Sequence, residues 1–207
     1  MAERVPPGRS GRLWLVAHLA SAQRGRDLLD HKHQLLRREH ERLSVVVATW
    51  RKAWDEALAL AQRWSLRAGI LGGTAVTALF ARAVAGEARV TISYANIMGV
   101  SHPDDARCDF PVLARTAGVA ANTAFEPAAQ AHRDAVTAAV QAAVAETALR
   151  RIADELLATR RRLRGIERHR IPALELASRT LQLRLDEIER EEQIVTRMAR
   201  KRRQSNT

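Results

Sequence analysis

The first third of the chain carries a heptad pattern of apolar residues. Counted in alternating steps of four and three from Leu15, every seventh position as far as Trp64 is apolar. This row comprises Leu15, Ala22, Leu29, Leu36, Leu43, Trp50, Ala57 and Trp64. The companion row is less uniform, with Arg26, His33 and His40 in its middle. Because a sustained 3.5-residue period is typical of a left-handed coiled coil, we predict a long N-terminal helix packed along a partner helix.

A second helical pattern occupies the last third of the chain and changes phase near Pro172. Before the change its apolar row runs from Val136 through Val140, Val144, Ile152, Leu156, Thr159, Leu163 and Ile166. The row resumes one residue out of phase as Leu174, Leu181, Ile188 and Val195, with Leu185 on the companion row. A proline inside a helix costs about 3 kcal/mol. We therefore predict a long helix that bends at Pro172 while a partner helix holds it, with Pro172 opposite Arg37 to Glu39.

The segment between the two helices has a different composition. Glycines at 69, 72, 73 and 86 loosen the end of the first helix, and Val90, Ile92 and Tyr94 then alternate with polar residues. Alternation of this kind predicts a strand, and the turn residues "SHPDD" follow it. We predict a short β-hairpin within residues 88–113 and an irregular link to about Pro127.

The predicted fold is therefore mainly α. It is a long antiparallel two-helix coiled coil formed by the N- and C-terminal helices, with a small β-hairpin-containing head in the middle of the chain. The expected segments are an N-terminal helix at 12–85, the head at 86–127, a C-terminal helix at 128–203 and a flexible tail at 204–207. We expect the head at the pole of the coiled coil opposite the chain termini.

Charge limits the classes of partner. The chain has 34 basic and 23 acidic residues, which gives a net charge of +11. A balance of this size predicts attraction to polyanions, whether nucleic acid, acidic lipid or an acidic protein surface. The single Cys108 excludes an internal disulfide and suits a reducing compartment. The basic stretches at 159–164 and 197–203 favour nucleic acid, but glutamates interrupt them and aromatic residues that would stack on bases are missing.

Membrane insertion and catalysis have little support in the sequence. The uncharged run at 13–23 has the small residues of a secretory signal, but its helical spacing continues well beyond it. The uncharged run from Ala68 to Ala81 is shorter than the roughly 20 residues that span a bilayer. The stretch "GILGGT" lacks the lysine of a phosphate-binding loop, and His33 and His40 fit a heptad row better than a metal site. We expect no active site, no cofactor and no metal.

Three separated blocks resemble the D subunit of the V-type and A-type rotary ATPases. The first block is "LASAQRGRDLLDHKHQLLRREHERL", the second is "NIMGV", and the third is "AETALRRIADELLATRRRLRGIE" with "IPALE" and "LDEIEREE". Arg164 and Gly165 depart from the family's usual Asn-Ala, and Asp30 and His33 from its Lys and Arg. The positions that carry the resemblance along the two helices are Gly25, Leu29, Lys32, Thr159, Arg161, Arg162, Glu167, Pro172, Glu189, Arg190 and Glu191. Those in the hairpin are Asn96, Ile97, Met98, Gly99 and Val100.

The resemblance implies a non-catalytic central rotor shaft. Such a shaft turns within a ring of catalytic A and B subunits and transmits torque to the ion-translocating rotor in the membrane. The helical positions are then candidate torque contacts and the hairpin positions candidate partner contacts. The implied partners are the A and B subunits, the F subunit and the socket subunit of the central stalk, in a cytoplasmic, peripheral part of a membrane-bound complex. The alternative is a basic coiled-coil module that binds nucleic acid.

Overall fold

The protein is mainly α-helical, with one small β-hairpin in the middle of the chain. The computed structural model describes residues 5–82, 86–111 and 123–205. Its elements are helix α1 (Gly8–Arg82), strands β1 (Arg89–Ile97) and β2 (Val100–Asp109), helix α2 (Phe125–Gly165), a π-helical turn (Ile166–Arg170) and helix α3 (Ile171–Ser205). The predicted fold class is confirmed. Helix α3 continues two residues past the predicted end at 203, and α1 begins four residues before the predicted start at 12.

Two compact units divide the chain, and α1 contributes to both. Unit 1 contains residues 1–33 and 158–207, and unit 2 contains residues 34–157. The hairpin and almost all of α2 belong to unit 2. The π-helical turn and α3 belong to unit 1.

In unit 1 the start of α1 packs antiparallel to α3. Arg9 Nη2 lies 3.7 Å from Glu189 Oε1, and a side chain at Gly11 would contact Leu181 at 3.2 Å. Farther along α1, Arg26 interacts electrostatically with Glu167. Because Glu167 and Leu181 flank Pro172 in sequence, Pro172 lies opposite residues between 11 and 26. The prediction that it lies opposite Arg37 to Glu39 is wrong.

In unit 2 α1 packs antiparallel to α2. Arg51 Nε donates to Glu146 Oε1 at 2.6 Å, and Ser65 Oγ lies 2.7 Å from His132 Nε2. The described end of this pair is a cluster that contains Ala68 and Phe125. These pairs measure the error in the register, because they place residues 37–39 opposite positions about 13 residues earlier on the returning helix than the prediction did.

The heptad row predicted for α1 is confirmed. All eight of its residues are buried or half-buried, and Leu36 is fully buried. The companion row also faces inward, except at Trp54, whose exposure is 37%. Apolar spacing alone therefore located the packed face of this helix.

The packed face of α2 combines alanines with part of the predicted row, since Val144, Ile152 and Thr159 are buried as predicted. Its buried alanines recur at steps of three and four: Ala128, Ala131, Ala135, Ala138, Ala142, Ala145 and Ala148. Val136, the predicted start of the row, is 43% exposed. Small side chains let two helices approach closely. Trp64 of α1 packs against the cluster formed by Ala61 of α1 with Ala131 and Ala135 of α2. The choice of Val136 over the neighbouring alanines was wrong for this reason.

The hairpin lies along the side of α2. β1 and β2 pair antiparallel from Arg89 with Asp109 to Ile97 with Val100, with an irregularity between Ser93 and Tyr94. Ile97 and Val100 pack against a helical cluster that contains Leu36, Leu43, Ala148 and Ile152. The expectation that the hairpin caps the end of the helix pair is therefore wrong, since that end is formed by the cluster around Ala68 and Phe125.

The last part of α3 has no described helix beside it. Ile188 and Val195, which the prediction placed on the packed row, are 50% and 66% exposed. Arg9, near the start of α1, already lies beside Glu189, so the described part of α1 does not continue past this point. Within the described residues, no helix is both long enough and apolar enough to cross a membrane.

Candidate contact surfaces

The residues singled out from the sequence fall into two groups, one in each unit. Those on the helices, from Gly25 to Lys32 and from Thr159 to Glu191, all belong to unit 1. Those in the hairpin, Asn96 to Val100, belong to unit 2. The structure therefore separates the candidate torque contacts from the candidate partner contacts.

Part of the helical group lies inside unit 1 rather than on its surface. Thr159 is fully buried, and Gly25, Leu29 and Lys32 are half-buried. A methyl group added at Gly25 would meet no atom within 4 Å. Thr159 and Leu29 thus support the packing of the helices, and a partner would contact other members of the group.

The π-helical turn directly precedes Pro172. The backbone N–H of Ile171 donates to the carbonyl of Ile166, five residues back instead of four. A π turn inserts one residue into a helix, which matches the one-residue change of phase between Ile166 and Leu174. Proline has no N–H to donate to an earlier carbonyl, so Pro172 interrupts the regular hydrogen bonds of the helix. The wide turn lies beside this interruption. The π turn accounts for the change of heptad phase seen in the sequence near Pro172, and the bend expected there stays a prediction.

The exposed members of the helical group, apart from Pro172, are charged, and several of them lie near this turn. Arg161, Arg162, Glu167 and Pro172 are exposed, as are Glu189, Arg190 and Glu191 farther along α3. On the facing part of α1, Arg26 Nη2 donates to Asp27 Oδ1 at 2.6 Å. This hydrogen bond raises the pKa of Arg26, with smaller contributions from Glu167 and Asp30. Unit 1 presents a mixed-charge surface with arginine in excess.

Beyond Asp186, α3 presents apolar side chains on an otherwise charged surface. Ile188, Ile194, Val195 and Met198 are each at least half exposed. Their spacing places them on one side of the helix. We call these four residues the α3 apolar row. The heptad pattern found two of these positions, Ile188 and Val195, but assigned them to an interior.

The hairpin group divides between packing and exposure. Ile97 and Val100 are half-buried against the Leu36 and Ile152 cluster, whereas Asn96, Met98 and Gly99 are exposed. Met98 and Gly99 form the two-residue turn, with φ angles of 50° and 81°. The side chain of Asn96 accepts a hydrogen bond from the Gly99 N–H at 3.1 Å. The apolar residues of "NIMGV" therefore do not form one exposed cluster.

Side chains of α2 fix β2 in place through its backbone. Gln141 Nε2 donates to Asp105 Oδ1 and to the Ala106 carbonyl, both at 2.7 Å. Arg151 Nη1 donates to the Ser101 carbonyl at 3.0 Å. The bond from Gln141, together with the backbone N–H of Ala106, lowers the pKa of Asp105. These contacts were missed in the sequence because backbone acceptors leave no residue signature.

An exposed apolar surface lies at the end of the α1–α2 pair. Ile70 and Leu71 are 83% and 63% exposed, and they line an open groove with Trp64 and Thr123. The guanidinium of Arg67 lies over the Trp64 ring, 4.7 Å from its centroid, in a cation–π contact. We call Trp64, Ile70 and Leu71 the end surface. Ile70 lies off the heptad row, and Leu71, although seven residues after Trp64, lies beyond the last position read into that row, so the sequence pattern did not select them.

The described residues hold no side-chain cluster of the kind that binds a metal ion. Within residues 5–82, 86–111 and 123–205, no three His, Cys, Asp or Glu side chains lie close enough to hold a metal ion. His33 and His40 are half-buried on the companion row of α1.

Comparison with known proteins decides between the two functional interpretations. The family model of the ATP synthase D subunit matches residues 14–201. The chain belongs to the ATP synthase D-subunit family. It is 32% identical to the A-type ATP synthase D subunit of Thermococcus gammatolerans, with 92% of each chain covered. It is 30% identical to the V-type ATP synthase D subunit of Anaeromyxobacter sp., over 97% of this chain and 94% of the relative.

Membership of the D-subunit family extends through both units and the hairpin. A third relative, the V-type ATP synthase D subunit of Thermus thermophilus, is 31% identical over 91% of this chain and 84% of its own length. The match covers the helical candidates in unit 1 and the hairpin candidates in unit 2. The family resemblance inferred from the three sequence blocks is thus confirmed. It favours a subunit of a rotary ATPase over a module that binds nucleic acid.

Proposed function

We propose that this chain is the non-catalytic central rotor of an A/V-type ATP synthase or ATPase. It transmits torque between a catalytic ring of A and B subunits and the ion-translocating rotor in the membrane. The observation that carries the proposal is its membership of the D-subunit family over residues 14–201. The surfaces of the two units add independent physical support.

Unit 1 has the surface expected of a part that turns inside a ring. Arg161, Arg162 and Glu167 and the charged residues 189–191 are exposed. Charged side chains in water form contacts that cost little to exchange, whereas a continuous apolar interface would hold one rotary position. The α3 apolar row is a narrow exception, which would give the end of α3 a bearing contact. We assign unit 1 to the A and B subunits.

The π-helical turn makes unit 1 asymmetric along its length. The residues before it and after it occupy different heptad phases, so the two stretches of helix present different faces to a surrounding ring. A rotor must present different faces to equivalent catalytic interfaces in order to bias which one is open. We assign this role to the turn at Ile166–Arg170 together with Pro172.

Unit 2 offers two places for the partners of a central stalk. The end surface at Trp64, Ile70 and Leu71 exposes large apolar side chains at the end of a helix pair, a feature typical of protein contact sites. The exposed turn at Met98 and Gly99 is a second, smaller site. We assign the end surface to the socket subunit and the turn to the F subunit. In this proposal the protein works on the cytoplasmic face of a membrane-bound complex.

Assembly with the A, B, F and socket subunits of the same organism tests the proposal. The five proteins, co-expressed, should yield one complex whose ATPase activity drives rotation of this chain, observed with a bead attached at Cys108 or at an introduced cysteine. If the chain stays outside the complex, the proposal is wrong. DNA binding that falls steeply with salt, without a protein partner, would instead favour the nucleic-acid alternative.

Pro172→Ala tests the mechanical role of the π turn within the assembled complex. The variant should keep or raise helicity but lower the coupling of ATP hydrolysis to ion transport. Pro127→Ala is the matched control, because Pro127 lies in the first turn of α2, where its missing N–H has no intrahelical partner to lose. Equal coupling in wild type, Pro172→Ala and Pro127→Ala would remove the mechanical role and leave the rotor assignment standing.

The double variant Ile70→Ser/Leu71→Ser tests the end surface. Binding of the socket subunit should weaken at least tenfold while the melting temperature of the isolated chain is unchanged, because both side chains are already exposed. Val45→Ser, at a residue of unit 2 that is 66% exposed, is the control and should bind normally. Equal binding by all three proteins would show that the socket contacts another part of the chain.

A further inference from the structure

Strand β1 is more exposed than any other part of the hairpin. All six residues from Arg89 to Tyr94 are exposed, whereas β2 buries His102, Pro103 and Ala106. In the described structure the sheet has only these two strands. In an antiparallel pair only every second residue bonds to the neighbouring strand, so the remaining N–H and C=O groups of β1 point away from β2. One edge of β1 is therefore a row of backbone donors and acceptors that no other strand of the described residues pairs with.

The two edges of the hairpin differ in how they are protected. The β2 edge carries Pro103 and the acidic pair Asp104 and Asp105, and the register shifts there opposite Ser93 and Tyr94. Proline, charge and irregularity are the usual means by which proteins prevent strands from pairing at an open edge. β1 has no proline and no charged residue from Val90 to Ile97. Only one edge is left suitable for pairing.

β1 also presents apolar side chains in the pattern of a strand. Val90, Ile92 and Tyr94 are 44%, 42% and 60% exposed, and their spacing of two places them on one face. Thr91 and Ser93 occupy the opposite face. An added strand whose apolar side chains alternate in the same way would cover this row and satisfy the open edge at the same time.

We propose that β1 accepts an extended strand from another subunit of the complex, which adds to the hairpin as a third strand. The inference rests on the proposed function for the source of that strand. A second copy of this chain is a poor occupant, because each copy carries a net charge of +11 and the copies repel each other. One strand edge and three partly exposed side chains form a small interface, so pairing depends on the assembly that holds the strand nearby.

Hydrogen–deuterium exchange in the assembled complex tests the proposal. The amides of residues 90–96 whose N–H groups face away from β2 should exchange at least tenfold more slowly in the complex of A, B, F and socket subunits than in the isolated chain. The double variant Ile92→Lys/Tyr94→Lys should lose this protection, because it places charges on the apolar row. Thr91→Lys is the matched control on the opposite face and should retain the protection.

The outcomes distinguish this inference from the proposed function. Assembly of the complex with unchanged exchange in β1 would overturn strand addition and leave the rotor assignment intact. Failure of this chain to assemble would overturn both. Protection of β1 that grows with the concentration of the isolated chain would show that a second copy occupies the edge, which also overturns the proposal.

Discussion

Replacing Ile97 and Met98 separately should show which part of the "NIMGV" stretch packs and which part contacts a partner. Ile97 lies against the cluster of Leu36, Leu43, Ala148 and Ile152, while Met98 is 40% exposed in the turn. Truncation of a fully buried isoleucine to alanine costs roughly 2–5 kcal/mol. Ile97 is only half-buried, so we expect Ile97→Ala to weaken hairpin docking by about 1–2 kcal/mol. Met98→Ala should change it by less than about 0.5 kcal/mol.

Amide exchange of β2 in the isolated chain measures this difference locally. A loss of about 1.4 kcal/mol corresponds to a tenfold larger open population, so protected amides of β2 should exchange roughly ten times faster in Ile97→Ala. The same amides should exchange at the wild-type rate in Met98→Ala. The melting temperature should fall less than a core substitution such as Leu36→Ala would cause, because Leu36 is fully buried between the helices.

A binding experiment with the F subunit completes the comparison. Under the proposed function Met98→Ala should weaken binding of the F subunit without changing amide exchange in β2. Ile97→Ala should mainly speed amide exchange in β2. Equal exchange rates in the two variants would refute the packing argument. Loss of F binding only in Ile97→Ala, with Met98→Ala normal, would withdraw Met98 as a contact residue.

Four further substitutions test local features. Gly25→Ala should raise the free energy of unfolding by up to about 1 kcal/mol in denaturant unfolding, because a methyl group there meets no atom within 4 Å. Gly11→Ala should instead destabilise the start of α1, because its methyl group would clash with the Pro6 carbonyl. Met98→Asn should slow hairpin exchange severalfold, because Asn-Gly suits a turn with positive φ at both residues. The lowered pKa of Asp105 means that its ionised form stabilises the fold. This stabilisation is present above the ordinary pKa of 3.8 and is lost as the pH falls below that pKa. Asp105→Asn should therefore reduce the acid-induced rise in β2 exchange.

The apolar spacing predicted helix α1 well because large residues mark its packed face. The row from Leu15 to Trp64 contains leucine and tryptophan at most positions, and burial of such side chains dominates helix packing. The same reasoning succeeded only in part on α2: Val144, Ile152 and Thr159 are buried as predicted, but Val136 is exposed and alanines at every third or fourth position are also buried. Alanine is abundant on both sides of that helix, so the sequence pattern alone does not show which alanines face α1.

The register between the helices could not be obtained from the sequence either. It depends on where the helix pair ends, and the cluster around Ala68 and Phe125 lies well before the last residue of α1. The non-helical Gly73, with φ 73° and ψ 162°, interrupts α1 only five residues after Ala68. The glycines of that region indicate a loosened helix, but their sequence does not tell which one breaks it.

The position of the hairpin depends in part on contacts that the hairpin's own side chains do not make. Gln141 and Arg151 of α2 donate to backbone carbonyls of β2, at Ala106 and Ser101. Any residue at those two β2 positions would offer the same acceptor, so their identities can vary while the docking is kept. Gln141 and Arg151 must supply donors of suitable length, so alanine at either position should release β2 in exchange experiments. Ser101→Ala should leave it docked, because the backbone carbonyl that accepts from Arg151 is unchanged, which would show that at this contact the helix residue matters and the hairpin side chain does not.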